Sequence, residues 1–218
     1  MAAIPLPPKK TIAEHAATQA EFLETKLEPL LEEARADQGQ VFFVDAAHFV
    51  MGAFLCCIWC RVRLFIRGGS GRKRYSVLGA WHAVTHELVS ITTNATVNAE
   101  TMCDLLRKIA ALGLQGPITL VLDNARYQHC ALVMDLAKSL NIHLQFLPSY
   151  SPNLNLIERL WKFIKKEVLY GCHYGTFPEF CAAIDGCLAE IPTEHREKLN
   201  SLMTHNFQTF DPASFLAA

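Results

Sequence analysis

The sequence predicts an α/β fold: a mixed sheet with helices packed on its faces. Apolar segments of strand length recur at VFFVDAAHFV, YSVLGAWHAV, ITLVLD and IHLQFLP. The early strands follow one another through short turns, as antiparallel neighbours do. From about residue 99 onward, helical periodicities alternate with strands, which is the order that builds crossovers onto a sheet.

Taken in order, residues 1 to 10 are Pro-rich and extended, and EHAATQAEFLETKLEPLLEEAR carries Phe22, Leu23, Leu27, Leu30 and Leu31 at helical spacing. The span 1–40 reads as an extended and helical linker arm, 41–175 as the core, and 176–218 as a C-terminal helical segment. VFFVDAAHFV is the first strand, LCCIWCRVRLFI supplies one or two more, and GGSGRKR is a basic turn. YSVLGAWHAV and ELVSITTN follow as strands, then a helix at about 99 to 112 closed by Gly113. After ITLVLD come a helix in CALVMDLAKSL, the strand IHLQFLP, and a long helix in SPNLNLIERLWKFIKKEVLY. For that helix Ser151 is the expected N-cap and Pro152 the first residue, with Ile157, Leu160, Trp161, Ile164 and Val168 as its apolar stripe. FPEFCAAIDGCLAEI adds a last helix.

The 218 residues, 51% hydrophobic, suit one domain with a substantial core. A formal charge of -1 is not that of a general nucleic-acid binder, but the total hides an asymmetry. Between Ala46 and His86 there is no Asp or Glu, while Arg61, Arg63, Arg67, Arg72, Lys73 and Arg74 all fall there. The arm is acidic, through Glu14, Glu21, Glu24, Glu28, Glu32, Glu33 and Asp37. The opening MAAIPLPPKK has no apolar core of a secretory signal, so an intracellular, cytoplasmic location is expected. VFFVDAAHFVMGAFLCCIWC is interrupted by Asp45 and His48, poor material for a bilayer span. The eight cysteines are then expected as free thiols, and Cys56, Cys57 and Cys60 lack a second pair at zinc-site spacing.

Asp45 stands in an apolar strand and Asp123 at the end of another. A carboxylate in such a place is costly unless paired, hydrogen-bonded or bound to a cation. If those strands are neighbours, both acids project from one region, and Glu158 on the long helix adds a third oxygen donor. Such a set suits Mg²⁺ or Mn²⁺. Each acid also has a local reading: Asp45 opening a turn, Asp123 capping the next helix, Glu158 pairing with Lys162. The residues by themselves leave both readings open.

VFFVDAAHF, LVLDNARYQH and LPSYSPNLNLIERLWKFIKKEV together resemble the acidic motifs of the DDE superfamily of transposases, in the bacterial insertion-sequence branch related to mariner elements. The resemblance covers residues 41–175, with 34 residues between Asp123 and Glu158. It implies a ribonuclease-H-like mixed sheet flanked by helices. It also implies catalytic and metal-holding roles for Asp45, Asp123 and Glu158, with two Mg²⁺ or Mn²⁺ ions about 3.5–4 Å apart. The implied reaction is metal-dependent DNA cleavage by water followed by strand transfer from the freed 3′-hydroxyl. Insertion at TA dinucleotides and a nucleoid-associated location when DNA is bound are expected with it.

Asn124 and Arg126, beside Asp123, are candidates for orienting water or touching phosphate, as is His48; starting a helix, or a place in the core, is the plainer role for each. Arg61 to Arg74, with Trp59, Tyr75 and Trp81 interleaved, suit a DNA-backbone surface with stacking. Lys162, Lys165 and Lys166 extend such a surface along the long helix, positioning DNA without reading its sequence. Two features depart from the family pattern. No helix-turn-helix module has room before residue 41, so double-stranded DNA ends are expected to be read by a separate N-terminal helix-turn-helix polypeptide. Ser149 stands where many relatives have proline. A homo-oligomer on DNA is expected, without a membrane. Two rival readings are a non-catalytic remnant that modulates a full-length transposase, and a nuclease acting on RNA or hybrids.

Overall fold

The structure, a computed structural model, describes residues 9–52 and 73–208. Expected strands in LCCIWCRVRLFI, the turn through Arg72, and Cys56, Cys57, Cys60, Trp59, Arg61, Arg63 and Arg67 lie outside the described residues. Five strands form one sheet in the order β3-β2-β1-β4-β5. They are β1 (Gln40–Val50), β2 (Arg74–His82), β3 (Leu88–Thr93), β4 (Ile118–Leu122) and β5 (Ile142–Phe146). β1 pairs antiparallel with β2 and parallel with β4, β2 antiparallel with β3, and β4 parallel with β5.

Side-chain alternation along β1 explains the layers. Val41, Phe43, Ala47 and Phe49 enter one apolar cluster; Phe42 and Val44 enter the other. The second cluster is covered by α3 (Ala99–Ala110) and α4 (Ala131–Ser139), through Met102, Leu105, Leu106, Val133 and Ala137. Helix α3 starts at a reciprocal cap between Asn98 and Thr101, and Gly113, at φ +63°, turns the chain away after it.

The first cluster is covered by α5 (Ile157–Leu169), α6 (Phe177–Glu190), α7 (Arg196–Leu202) and the N-terminal arm. In the arm, α1 (Lys9–Phe22) passes through a π-turn at Leu23–Leu27 into α2 (Glu28–Arg35). Its apolar stripe packs on its own sheet: Leu27 and Leu31 are fully buried with Phe43, Phe49 and Ile164. The short link with Asp37 at φ +56° folds α2 back beside β1.

The long helix begins later than its sequence predicts. Pro152–Leu154 forms one 3₁₀ turn, Asn155 is extended at φ -94°, ψ 104°, and α5 starts at Ile157. Ser151 makes no capping hydrogen bond. The break is held by Asn155, whose Nδ2 donates to the Val44 carbonyl at 3.2 Å. A stripe of Ile157, Leu160, Trp161, Ile164 and Val168 is buried as expected, each residue contributing about 1.5–3 kcal/mol.

Candidate active site

Parallel pairing of β1 and β4 sets Val44 beside Leu122, so the residues that follow, Asp45 and Asp123, leave adjacent strands at the same level. Alternation directs both toward the face covered by α5, since Phe43 and Val121 belong to that cluster. Glu158 lies in the first turn of α5. All three acids line one cleft of about 430 Å³, whose wall also includes Leu147, Pro148, Ser149, Tyr150, Ser151 and Pro152. The wall is tied to the arm: Gln19 Nε2 donates to the Tyr150 carbonyl at 2.9 Å and Asn153 Nδ2 to Gln19 Oε1 at 3.0 Å.

The local readings of the acids fare differently. Strand β1 runs on through Asp45 to Val50, so Asp45 opens no turn. Asp123 accepts from the Ala125 N–H at 3.3 Å, a local turn that leaves its other oxygen uncommitted among the described residues. Glu158 makes no ion pair among the described residues, with Lys162 or otherwise.

Charge in the cleft is strained. Burial foremost, then the Glu158 carboxylate, raises the Asp45 pKa from 3.8 to about 7; Asp123 adds to the rise, while the Ala46 N–H and the Trp161 indole oppose it. Tyr127, beside the same acids, is pushed above the usual phenol range by burial and then by Asp123. Three carboxylates sharing a cleft are the donor chemistry of a hard divalent cation, and that chemistry is the fit for Mg²⁺ or Mn²⁺. Among the described residues, no group of three His, Cys, Asp or Glu is already closed into a metal-holding arrangement.

Other expected site residues scatter. Asn124 lines the cleft, and its amide Nδ2 donates to the Leu147 carbonyl, bracing the wall against β4. Arg126 is exposed at the start of a 3₁₀ turn (Arg126–His129) and does not line the cleft. His48 alternates to the other face of β1, where its Nδ1 meets Ser76 Oγ at 2.9 Å; burial first, then Arg74 and Lys165, holds its pKa below the usual histidine range. Lys73 sits over the Phe177 ring and Arg74 donates to Thr96 Oγ1 at 3.0 Å. Lys162 and Lys166 are exposed and, with Lys198, line a groove between α5 and α7; Lys165 is half-buried.

The expected stacking by Tyr75 and Trp81 is corrected. Both alternate into the apolar cluster under α5 and α6, at 7% and 0% exposure, and Tyr75 OH donates to Asp185 instead, at 2.8 Å. Residues missed from the sequence are Asn155, Trp161, Tyr127 and Gly79. Only Gly79 carried a signal, a glycine inside a strand, which marks close approach by another group.

Residues 63–181, more than half the chain, match the family described as DDE superfamily endonuclease, and the chain belongs to that family. The matched span contains Asp123 and Glu158; Asp45 precedes it. No curated protein matches the sequence. Among solved structures the chain is similar to the Mos1 strand transfer complex, at 14% identity and a TM-score of 0.63, with 99% of this chain covered and 65% of that one. It is also similar to the catalytic domain of Mos1 mariner transposase, at 14% identity and a TM-score of 0.59, covering 98% and 94%. A third similarity is to the simian T-cell lymphotropic virus intasome in complex with the PP2A regulatory subunit B56 gamma, at 16% identity and a TM-score of 0.50, covering 79% and 52%. At these identities the likeness shows the fold, the ribonuclease-H-like mixed sheet expected above. No described helix is long and apolar enough to cross a membrane.

Proposed function

We propose that this domain is the catalytic core of a transposase, cutting DNA phosphodiester bonds and joining the freed 3′-hydroxyl to target DNA. The observation that carries the reading is that Asp45, Asp123 and Glu158 all line one cleft. In this reading the three carboxylates hold Mg²⁺ or Mn²⁺. When bound, two such ions polarise the attacking oxygen and stabilise the leaving one in an in-line displacement.

The chain's own residues do the rest. Asp45, whose pKa burial and Glu158 raise, would have to give its proton to solvent before its carboxylate could hold a cation. Asn124 braces the cleft wall by its bond to the Leu147 carbonyl, fixing the opening through which the phosphodiester enters. Lys162 and Lys166, exposed on α5, contact backbone phosphates. Attack by water at phosphorus breaks the P–O3′ bond and leaves a 3′-hydroxyl and a 5′-phosphate; attack by that 3′-hydroxyl on a target phosphodiester forms a new P–O bond and releases the target's own 3′-hydroxyl. Recognition of element ends falls to a helix-turn-helix module, in this or a separate polypeptide, and two copies hold the two ends. Placement in the bacterial insertion-sequence branch, with TA as target, belongs to the same proposal.

Strand joining tests the reading. A labelled duplex with a precut 3′-hydroxyl end, incubated with plasmid and Mn²⁺, is expected to join with the wild-type chain and not with Glu158→Ala. Equal joining by both would remove Glu158 from the site.

A further inference from the structure

Gly79 is the β2 residue directly across from Asp45. A Cβ at Gly79 would lie 2.7 Å from Trp161 Cη2 and 2.9 Å from Cζ2, so the indole fills the space the glycine leaves. Trp161 is 1% exposed, and its Nε1, two bonds from Cζ2, is buried without a hydrogen-bond partner among the described residues. Orphaned buried N–H groups are rare and call for an explanation. Directly paired residues of neighbouring strands point to the same face, so the indole over Gly79 lies beside the Asp45 side chain. Trp161 also sits one helical turn after Glu158 on α5, so a single turn carries one acid and the indole packed over the residue paired with another.

We infer that Trp161 is a positioning residue: its indole N–H is the donor that orients the Asp45 carboxylate toward a divalent cation, and Gly79 admits the indole. This rests on the reading of Asp45 as a metal-holding carboxylate. Donors of this kind fix the rotamer of a ligand, and their removal typically costs about 10–100-fold in metal affinity.

Two measurements test it, with Trp81→Phe as the control for general damage. Trp81 is equally buried and its Nε1 equally lacks a partner among the described residues, but it stacks on His86. First, the indole N–H signals of the ¹⁵N-labelled metal-free chain are recorded, that of Trp161 being assigned by its loss in Trp161→Phe. Asp45→Asn and added Mg²⁺ should each move the Trp161 signal and leave the Trp81 signal in place. An unmoved Trp161 signal in a folded Asp45→Asn chain would overturn the inference. Second, Mn²⁺ binding is titrated by the paramagnetic resonance of the free ion. Trp161→Phe should weaken it about 10–100-fold and Trp81→Phe should not; unchanged affinity in Trp161→Phe would also overturn it. Failure of the underlying reading looks different, because Asp45→Asn would then bind Mn²⁺ as the wild type does.

Discussion

Asn155 Nδ2 donates to the Val44 carbonyl, 3.2 Å away, and so joins the turn before α5 to the strand residue preceding Asp45. One side chain thereby ties together the two elements that carry Asp45 and Glu158. Asn155 is 4% exposed and its Oδ1 has no partner among the described residues. Asn155→Ala is expected to cost about 1–3 kcal/mol in urea unfolding. It should also reduce metal-dependent cleavage at temperatures where the variant remains folded. Full activity in the folded variant would mean that Asn155 does not position Glu158.

Asp45 makes the metal-free protein sensitive to pH. Its folded-state pKa of about 7 lies above the ordinary value of 3.8, so between those values the folded chain keeps a proton that the unfolded chain has released. Stability attributable to this carboxyl therefore falls as pH rises through that window. Asp45→Asn should stabilise the metal-free chain at pH 8, by up to about 4 kcal/mol, with the gain shrinking toward pH 4. Thermal melts across that range check it. A pH-independent difference would show that Asp45 is not the strained group.

The arm is part of the fold. Leu31, 1% exposed, packs in the cluster under α5, and Leu31→Ala is expected to cost about 2–5 kcal/mol in denaturant unfolding. A cost near zero would mean that the arm is detached in solution.

Lys162 and Lys166 should matter for DNA affinity without changing sequence preference. Replacing both with Ala is expected to flatten the dependence of log affinity on log salt, by about 0.9 for each DNA phosphate that is no longer neutralised. An unchanged slope would place DNA elsewhere on the surface.

Much of this was legible in the sequence because it depended on period and on strand ends. Apolar runs carrying an acid marked β1 and β4, while whether those strands are neighbours stayed open in the sequence; their parallel pairing sets Asp45 and Asp123 side by side. What escaped depended on contacts between distant residues. Ser151 and Pro152 look like a helix start, but the bond from Asn155 to Val44 delays α5 to Ile157. Tyr75 and Trp81 sit among cations in sequence, yet alternation buries them. The indole of Trp161 read only as part of an apolar stripe, because its neighbour Gly79 lies on another element.

The most direct measurement is nicking of supercoiled plasmid with and without Mn²⁺ or Mg²⁺, by the wild-type chain and by Asp45→Ala, Asp123→Ala and Glu158→Ala. Nicking that requires the metal and disappears in each folded variant is the predicted result. Nicking that survives the loss of any one of these carboxylates, or that needs no metal, would contradict a shared three-carboxylate centre.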